Sequence, residues 1–166
     1  MIALHDFNHL PHEQALALIH PCVALPFWAD ALVHGRPYAS RDELFSTAKS
    51  LMQNWDEAAL AQALSAHPRI GEKPAGSAAE AALSRQEQGA VNDRDAALAR
   101  ALREGNARYE ARFGRVFLIR AKGRSGEEIL QALHARLENS DAQEIRAALE
   151  QLREITLLRL EGVIHE

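Results

Sequence analysis

Five segments of this chain carry a capping-box spacing, in which a helix-capping residue is followed three positions later by glutamate. In such a box the first side chain accepts a hydrogen bond from the first helical turn, and the glutamate reaches back to the capping residue's N–H. The spacings are Ser40-x-x-Glu43, Asn54-x-x-Glu57, Ser77-x-x-Glu80, Ser125-x-x-Glu128 and Asp141-x-x-Glu144. Because convincing strand patterns are almost absent, these signals restrict the chain to a helical fold.

The apolar periodicity predicts a bundle of about eight helices. They are expected at 11–19, 22–34, 40–52, 55–65, 77–89, 92–113, 125–138 and 141–164. The residues that break helices fall between them, at Pro21, Gly35-Arg36-Pro37, residues 68–76, Gly114 and Gly123. No repeat or linker divides the 166 residues. We therefore expect one all-α domain over residues 1–166, large enough to bury a core.

One segment, residues 115–121, departs from the helical pattern. Its sequence Arg-Val-Phe-Leu-Ile-Arg-Ala is rich in β-branched and aromatic residues and would suit a short strand. Since no second convincing strand is available to pair with it, we predict a buried extended connector. Its main-chain N–H groups need hydrogen-bond partners, which either neighbouring loops or a bound ligand would supply.

Charge and composition argue against several classes of partner. The chain has 23 acidic and 19 basic residues, for a net charge of −4, and its arginines are scattered. Without a basic stripe, nucleic acid is not an expected partner. No apolar run approaches the ~20 residues needed to span a bilayer, and the N-terminus does not resemble a secretion signal. We expect a cytoplasmic protein.

The sequence also lacks the motifs of several common kinds of functional site. The single cysteine, Cys22, excludes an intramolecular disulfide and a Cys-x-x-Cys site. No GxGxxG, P-loop or GxSxG sequence is present. The N-terminal fifth of the chain contains five histidines, His5, His9, His12, His20 and His34. Their spacing is not that of a metal site, so we predict no metal site there. The large aromatic residues are predicted to belong to the core: Phe27, Trp28, Phe45, Trp55, Phe113 and Phe117.

A histidine before a proline is the first candidate for chemistry. His67 lies in the segment Ser-Ala-His-Pro-Arg-Ile-Gly-Glu-Lys, residues 65–73. Pro68 directs His67 away from helical backbone and fixes its own φ, so the corner is stiff. A side chain with a pKa near ~6.5 at such a corner suits proton transfer. The alternative is a loop that ends a helix, with His67 bonded to nearby carbonyls.

Two helices carry further polar candidates. Ser84, Glu87 and Gln88 are spaced i, i+3 and i+4, so they share one face, which is either a ligand site or a solvated surface. Arg159 interrupts an apolar stripe of the last helix, where a charge is costly unless it is paired. Arg159 is therefore a candidate for binding a carboxylate or carbonyl-rich ligand, unless its side chain extends to the helix end.

Taken in order, these segments resemble the OHCU decarboxylase family. The resemblance rests on the sequences His-Pro-Arg-Ile-Gly (67–71), Ser-x-x-Glu-Gln (84–88), Phe-Leu-Ile (117–119) and Arg159, with Pro-Phe-Trp (26–28), Arg-Pro-Tyr (36–38) and Trp55. Members of that family decarboxylate 2-oxo-4-hydroxy-4-carboxy-5-ureidoimidazoline (OHCU), the last intermediate between urate and (S)-allantoin. The resemblance covers about residues 6–164 and implies an all-α bundle, no cofactor and a homodimer.

The resemblance also implies roles for individual residues. His67 and Glu87 would be catalytic, with His67 as the acid/base. The substrate-binding residues would be Pro68, Ser84, Gln88, Phe117, Ile119 and Arg159. Two readings from other classes stay open: a helical binding protein that retains an old pocket, and a metal-dependent hydrolase that uses the N-terminal histidines.

Overall fold

The computed structural model describes residues 1–70, 79–89 and 95–166. Within these ranges the chain is all-α, with nine α-helices and one two-stranded parallel sheet. The helices are α1 (Leu4–His9), α2 (His12–Ile19), α3 (Pro26–His34), α4 (Arg41–Met52), α5 (Glu57–Leu64), α6 (Ala79–Glu87), α7 (Ala96–Phe113), α8 (Gly126–Arg136) and α9 (Asp141–Glu161), with a 3₁₀ helix at His20–Cys22. The strands are β1 (Ile2–Ala3) and β2 (Ile164–His165). None of the described helices is long and apolar enough to cross a membrane.

The chain forms two compact units. Residues 1–63 and 153–166 make up one, which we call the terminal unit, and residues 64–152 make up the other, the central unit. Helix α9 contributes its first twelve residues, 141–152, to the central unit and its last nine to the terminal unit.

The terminal unit is held by aromatic packing and by side chains that bind distant carbonyls. Trp28 is buried, its ring meets that of Trp55 at 6.0 Å, and its Nε1 donates to the Ala48 carbonyl oxygen at 3.2 Å. Arg36 donates to the carbonyl oxygens of Phe7 and Leu10 at 2.7 and 2.8 Å. These contacts join α1, α3 and α4, which the sequence separates by turns.

Helices α7 and α8 pack closely in the central unit. A methyl group added to Gly105 would lie 2.4 Å from Leu133 Cδ2, and one added to Gly126 would lie 2.5 Å from Leu98 Cδ2. The absence of a side chain at these two glycines lets the helices approach. The packed apolar cluster consists of Ile70, Leu98, Leu102, Tyr109, Phe113, Phe117, Ile119, Ala121, Ile129, Leu133 and Leu137.

Two predicted capping boxes are supported by hydrogen bonds. Ser125 accepts from the N–H of Glu128, and the Glu128 carboxylate accepts from the N–H of Ser125, which holds the pKa of Glu128 below its usual value. Ser40 accepts from the N–H of Glu43 at 3.1 Å, but the Glu43 carboxylate accepts from Ala39 rather than from Ser40.

Two other predicted boxes are wrong by one or two residues. Asp56, not Asn54, caps α5 by accepting from the N–H of Ala59. Ser140 and Gln143, not Asp141 and Glu144, form the reciprocal pair at the start of α9. In both places two residues able to cap lie close together, so the spacing alone does not choose between them. The box predicted at Ser77 falls outside the described residues.

Several predicted boundaries also need correction. The sequence predicted no helix over Leu4–His9, and the helix expected at 22–34 begins only at Pro26, which fixes the first helical φ. The last helix, expected to run to residue 164, ends at Glu161, and Ile164 lies in β2. Phe27 was predicted to be buried but is 55% exposed in the first turn of α3.

Candidate active site

The His67 corner follows α5 directly and has no regular secondary structure. The His67 N–H donates to the Leu64 carbonyl oxygen at 3.1 Å, which closes the last turn of the helix. His67 and Pro68 are half-buried, and the Nε2 atom of His67 is itself buried. Ile70 belongs to the apolar cluster of the central unit. The prediction of a corner at His67-Pro68 is confirmed, while residues 71–73 of the motif lie outside the described residues.

Helix α7 anchors this corner at two successive residues. Arg69 forms a forked ion pair with Glu110, with its Nε and Nη2 at 2.8–3.1 Å from the carboxylate oxygens. The buried Asn106, one turn earlier, donates from Nδ2 to the Ile70 carbonyl oxygen at 2.9 Å. Because both partners are on one helix, the corner is fixed relative to α7.

The second motif lies on the last turn of α6. Ser84 is buried at 3% exposure, whereas Glu87 and Gln88 are half-buried. Gln88 follows the helix in a turn, and its N–H donates to the Ser84 carbonyl oxygen at 3.2 Å, which continues the helical bonding by one residue. The three side chains therefore start from one helix face, as predicted, and this face is not fully solvated.

Gly114 ends α7 in the left-handed conformation, with φ of 71°, and the chain enters residues 115–121 without regular structure. The carbonyl oxygen of Leu118 accepts from Arg136 Nη1 at 2.5 Å, and the N–H of Arg120 donates to Gln151 Oε1 at 2.9 Å. Between described residues, no main-chain to main-chain hydrogen bond involves Phe117 or Ile119. Both residues are almost fully buried.

Side chains thus hold the main chain of this connector at Leu118 and Arg120. Phe117 and Ile119 share the apolar cluster with Ile70, so the corner and the connector meet the same core. This arrangement fits a segment whose remaining main-chain groups bind a polar ligand.

Arg159, the last candidate, lies in the terminal unit. It is 3% exposed, which is inconsistent with a side chain extending into solvent. Its Nη1 lies 3.3 and 3.4 Å from the carbonyl oxygens of Pro21 and Cys22. The guanidinium is therefore buried against carbonyl groups rather than extended into solvent.

Sequence reasoning missed a buried carboxylate in the central unit. Glu144 is fully buried and accepts from Tyr109, Arg136 and Asn139. Burial, followed by the hydrogen bond to Glu144 and its charge, raises the pKa of Tyr109, so its hydroxyl stays a donor. The signal was present in the sequence: a cap placed at Ser140 and Gln143 frees Glu144 to face the core.

The N-terminal histidines pair in the terminal unit. The rings of His5 and His9 lie 4.5 Å apart, and those of His12 and His34 lie 5.1 Å apart. In the ranges that the structure describes, no group of three histidine, cysteine or acidic side chains is placed to hold a metal ion.

Comparison with known proteins extends the resemblance over the chain. A sequence model of OHCU decarboxylase matches residues 8–161. The 2-oxo-4-hydroxy-4-carboxy-5-ureidoimidazoline decarboxylase of Amia calva is 33% identical over 164 residues, which are 97% of this chain and 94% of that protein. The uric acid degradation bifunctional protein TTL of Arabidopsis thaliana is 37% identical over 128 residues, which are 74% of this chain and 37% of that protein.

A solved structure supports the same relation. It is described as OHCU decarboxylase in the presence of (S)-allantoin, and it matches with a TM-score of 0.73 at 27% identity, covering 88% of this chain and 96% of that one. Since the sequence match extends over nearly the whole chain and includes every candidate site residue, this chain belongs to the OHCU decarboxylase family.

Proposed function

We propose that this protein converts OHCU to (S)-allantoin and CO₂ in urate degradation, without a cofactor. The observation that carries the proposal is the family match over residues 8–161, which contains the His67 corner, the α6 face, the connector and Arg159. The half-buried, stiffly anchored setting of His67 supports it, because a general acid/base must be held in place next to the group whose proton it moves.

The substrate itself explains why a cofactor is unnecessary. When the bond to the carboxylate breaks, its electron pair remains on the ring carbon. The adjacent imine and carbonyl groups of the ureidoimidazoline delocalise that negative charge, which is the task that pyridoxal or thiamine performs elsewhere. The protein then has to position the ring, stabilise the developing charge and allow protonation on one face.

The family resemblance implies the roles of individual residues, and the chemistry of each side chain suits its role. His67 is assigned to the hydroxyl beside the departing carboxylate, with Pro68 forming a wall next to it. Glu87, an acceptor when ionised, would hold substrate N–H groups together with Ser84 and Gln88. The main-chain groups of Phe117 and Ile119 would line the substrate ring, and Arg159 would bind the oxygen-rich edge of that ring.

The proposal extends to the organisation of the protein. We take residues 1–166 as one OHCU decarboxylase-like domain, because the family match runs through both compact units. We also propose a cytoplasmic homodimer. The single, buried cysteine fits a reducing compartment, and light scattering of the purified protein would test the dimer by its mass.

A stereochemical assay tests the function. OHCU is generated in place from urate with urate oxidase and hydroxyisourate hydrolase, and circular dichroism follows the product. Unaided decay gives racemic allantoin, because protonation in water has no preferred face. With this protein we expect faster loss of OHCU and accumulation of optically active (S)-allantoin.

His67→Asn is the decisive variant, and His134→Asn is its matched control. His67→Asn should retain the fold and lose about 10²–10⁴-fold in rate, the usual contribution of a general acid/base. His134 is an exposed residue of α8, so its replacement should change neither rate nor optical purity. If the wild-type protein binds a ureide but does not accelerate OHCU decay, the decarboxylase assignment is wrong and a binding protein is favoured. Loss of activity on chelation would instead favour the metal-dependent reading.

A further inference from the structure

The buried carboxylate of Glu144 accepts from three side chains. Tyr109 Oη lies 2.5 Å from its Oε1, Arg136 Nε lies 2.8 Å from the same oxygen, and Arg136 Nη2 also contacts it. Asn139 Nδ2 donates to Oε2 at 3.0 Å. Three of these donors are on Oε1 and one is on Oε2, so both oxygens are bound and the orientation of the carboxylate is fixed.

Arg136, the ion-pair partner of Glu144, uses three of its nitrogen atoms in hydrogen bonds. While Nε and Nη2 bind the carboxylate, Nη1 donates to the Leu118 carbonyl oxygen at 2.5 Å. The guanidinium carbon also lies 4.5 Å from the centre of the Phe117 ring, which Tyr109 contacts from a second direction at 5.2 Å. One planar group therefore holds both a main-chain oxygen and a side chain of the connector.

Stability alone is a poor explanation for this pair. A buried ion pair loses hydration, and apolar residues of similar volume often replace one at no cost to stability. An apolar replacement could fill the same space, but it could not donate to the Leu118 carbonyl oxygen. What the charged pair adds is a fixed position for the main chain between Phe117 and Ile119.

We propose that Glu144 and Arg136 act as positioning residues that hold the connector so that the main-chain groups of Phe117 and Ile119 meet the substrate ring. The inference deepens the proposed function and rests on it. Neither side chain touches the substrate; each acts through the residues that do. Tyr109 and Asn139 complete the arrangement by orienting the carboxylate.

Arg136→Lys tests the inference, because lysine keeps the charge and loses the planar fork. A lysine ammonium can pair with Glu144 but cannot also hold Leu118 and cover the Phe117 ring. We expect KM for OHCU to rise about tenfold, the effect of losing one good hydrogen-bonded anchor, with a smaller change in kcat. The optical purity of the allantoin should also fall, because the ring is held less firmly.

Arg41→Lys is the matched control. Arg41 donates from Nε to the Ile164 carbonyl oxygen at 2.9 Å, and its guanidinium carbon lies 4.6 Å from the centre of the Phe45 ring, so it makes the same two kinds of contact in the terminal unit, away from the connector and from the partners of Glu144. KM and optical purity should be unchanged in this variant. A mere loss of folded protein would lower the apparent kcat and leave KM alone, which separates misfolding from mispositioning.

Tyr109→Phe gives a second, milder test that does not depend on Arg136→Lys folding. It removes one donor to Glu144 and keeps the ring packed on Phe117, and we expect KM to rise by about twofold to fivefold. The positioning inference is overturned if the wild-type enzyme is active while both variants, Arg136→Lys and Tyr109→Phe, fold and keep the wild-type KM and optical purity. A wild-type protein that does not turn over OHCU overturns the proposed function instead, and the inference with it.

Discussion

At the scale of single residues, the polar side chains that matter most are buried ones with specific partners. Asn106 holds the Ile70 carbonyl at the His67 corner, and Arg136 holds the Leu118 carbonyl at the connector. Each side chain donates a hydrogen bond to a loop carbonyl inside the core, which avoids the free-energy cost of an unpaired buried acceptor. Local sequence could not reveal these bonds, because they join residues 36 and 18 positions apart.

Because of Tyr38, we predict that the free energy of unfolding changes with pH in the alkaline range. Its hydroxyl donates to the Leu32 carbonyl oxygen at 2.5 Å, and burial, aided by the charge of Glu43 against that of Arg36, raises its pKa from 10.0 to about 12. Below pH 10 the Tyr38 hydroxyl is protonated in both the folded and the unfolded state, so its contribution to stability is complete. Between pH 10 and 12 the unfolded state releases the proton and the folded state keeps it, so the free energy of unfolding falls with rising pH, by about 2 to 3 kcal/mol at most.

Chemical denaturation across pH 8–12 measures this effect, with Tyr38→Phe as the comparison. The variant should be less stable than wild type at pH 8, because it lacks the hydrogen bond to Leu32, and the difference should shrink as the pH approaches 12. Tyr109 contributes a decline of the same sign in both proteins and cancels in the difference. A difference that is constant with pH would contradict the assignment to Tyr38.

At the scale of helices, the sequence predicted type better than boundaries. The apolar periodicity predicted α7 to end at Phe113 before Gly114, and it does. The capping spacing placed the caps of α5 and α9 on Asn54 and Asp141, close to the residues Asp56 and Ser140 that cap them, although α9 itself begins at Asp141 as expected. The periodicity missed α1 because six residues span less than two turns, too few for a periodic signal.

Gly105→Ala tests how tightly α7 and α8 pack. Alanine favours the helix by about 1 kcal/mol, but the new methyl group would lie 2.4 Å from Leu133 Cδ2, inside the core. Overpacking costs about 1–3 kcal/mol, so we expect a net loss of stability. Gly162→Ala is the control, because its methyl group would meet no atom closer than 3.5 Å.

Urea denaturation of the two variants decides the matter. Gly105→Ala should have a lower unfolding midpoint than wild type, while Gly162→Ala should match it or fall slightly. Equal midpoints for all three proteins would mean that Leu133 moves aside freely and that the helices are not in tight contact.

At the scale of the whole molecule, the sequence predicted the fold class and the site motifs, and the structure added their anchors. Motifs such as residues 67–71 and 84–88 are contiguous, so they are readable in one pass. The partners of Glu144 come from α7, α8 and the turn before α9, and the local sequence does not show that these distant residues meet one another. Tertiary packing brings them together.

Arg41 connects distant parts of the terminal unit and gives a whole-chain prediction. Its Nε donates to the Ile164 carbonyl oxygen at 2.9 Å and its Nη2 to that of Glu161 at 3.1 Å. Arg41→Ala leaves both carbonyls without this donor, and we expect a loss of about 1–2 kcal/mol, or a melting temperature lower by roughly 2–8 °C. Arg146→Ala, at an exposed position of α9, should melt with the wild type.

The pairing of β1 with β2 has a consequence for the order in which the protein folds. Ile2 pairs with Ile164, and the Ile2 N–H donates to the Val163 carbonyl oxygen at 2.9 Å, so the contact joins opposite ends of the chain. Bringing such distant residues together costs the most loop-closure entropy, while helices form from near neighbours within microseconds. The ladder should therefore close after the helices it joins, and its amide protons should be protected late in refolding.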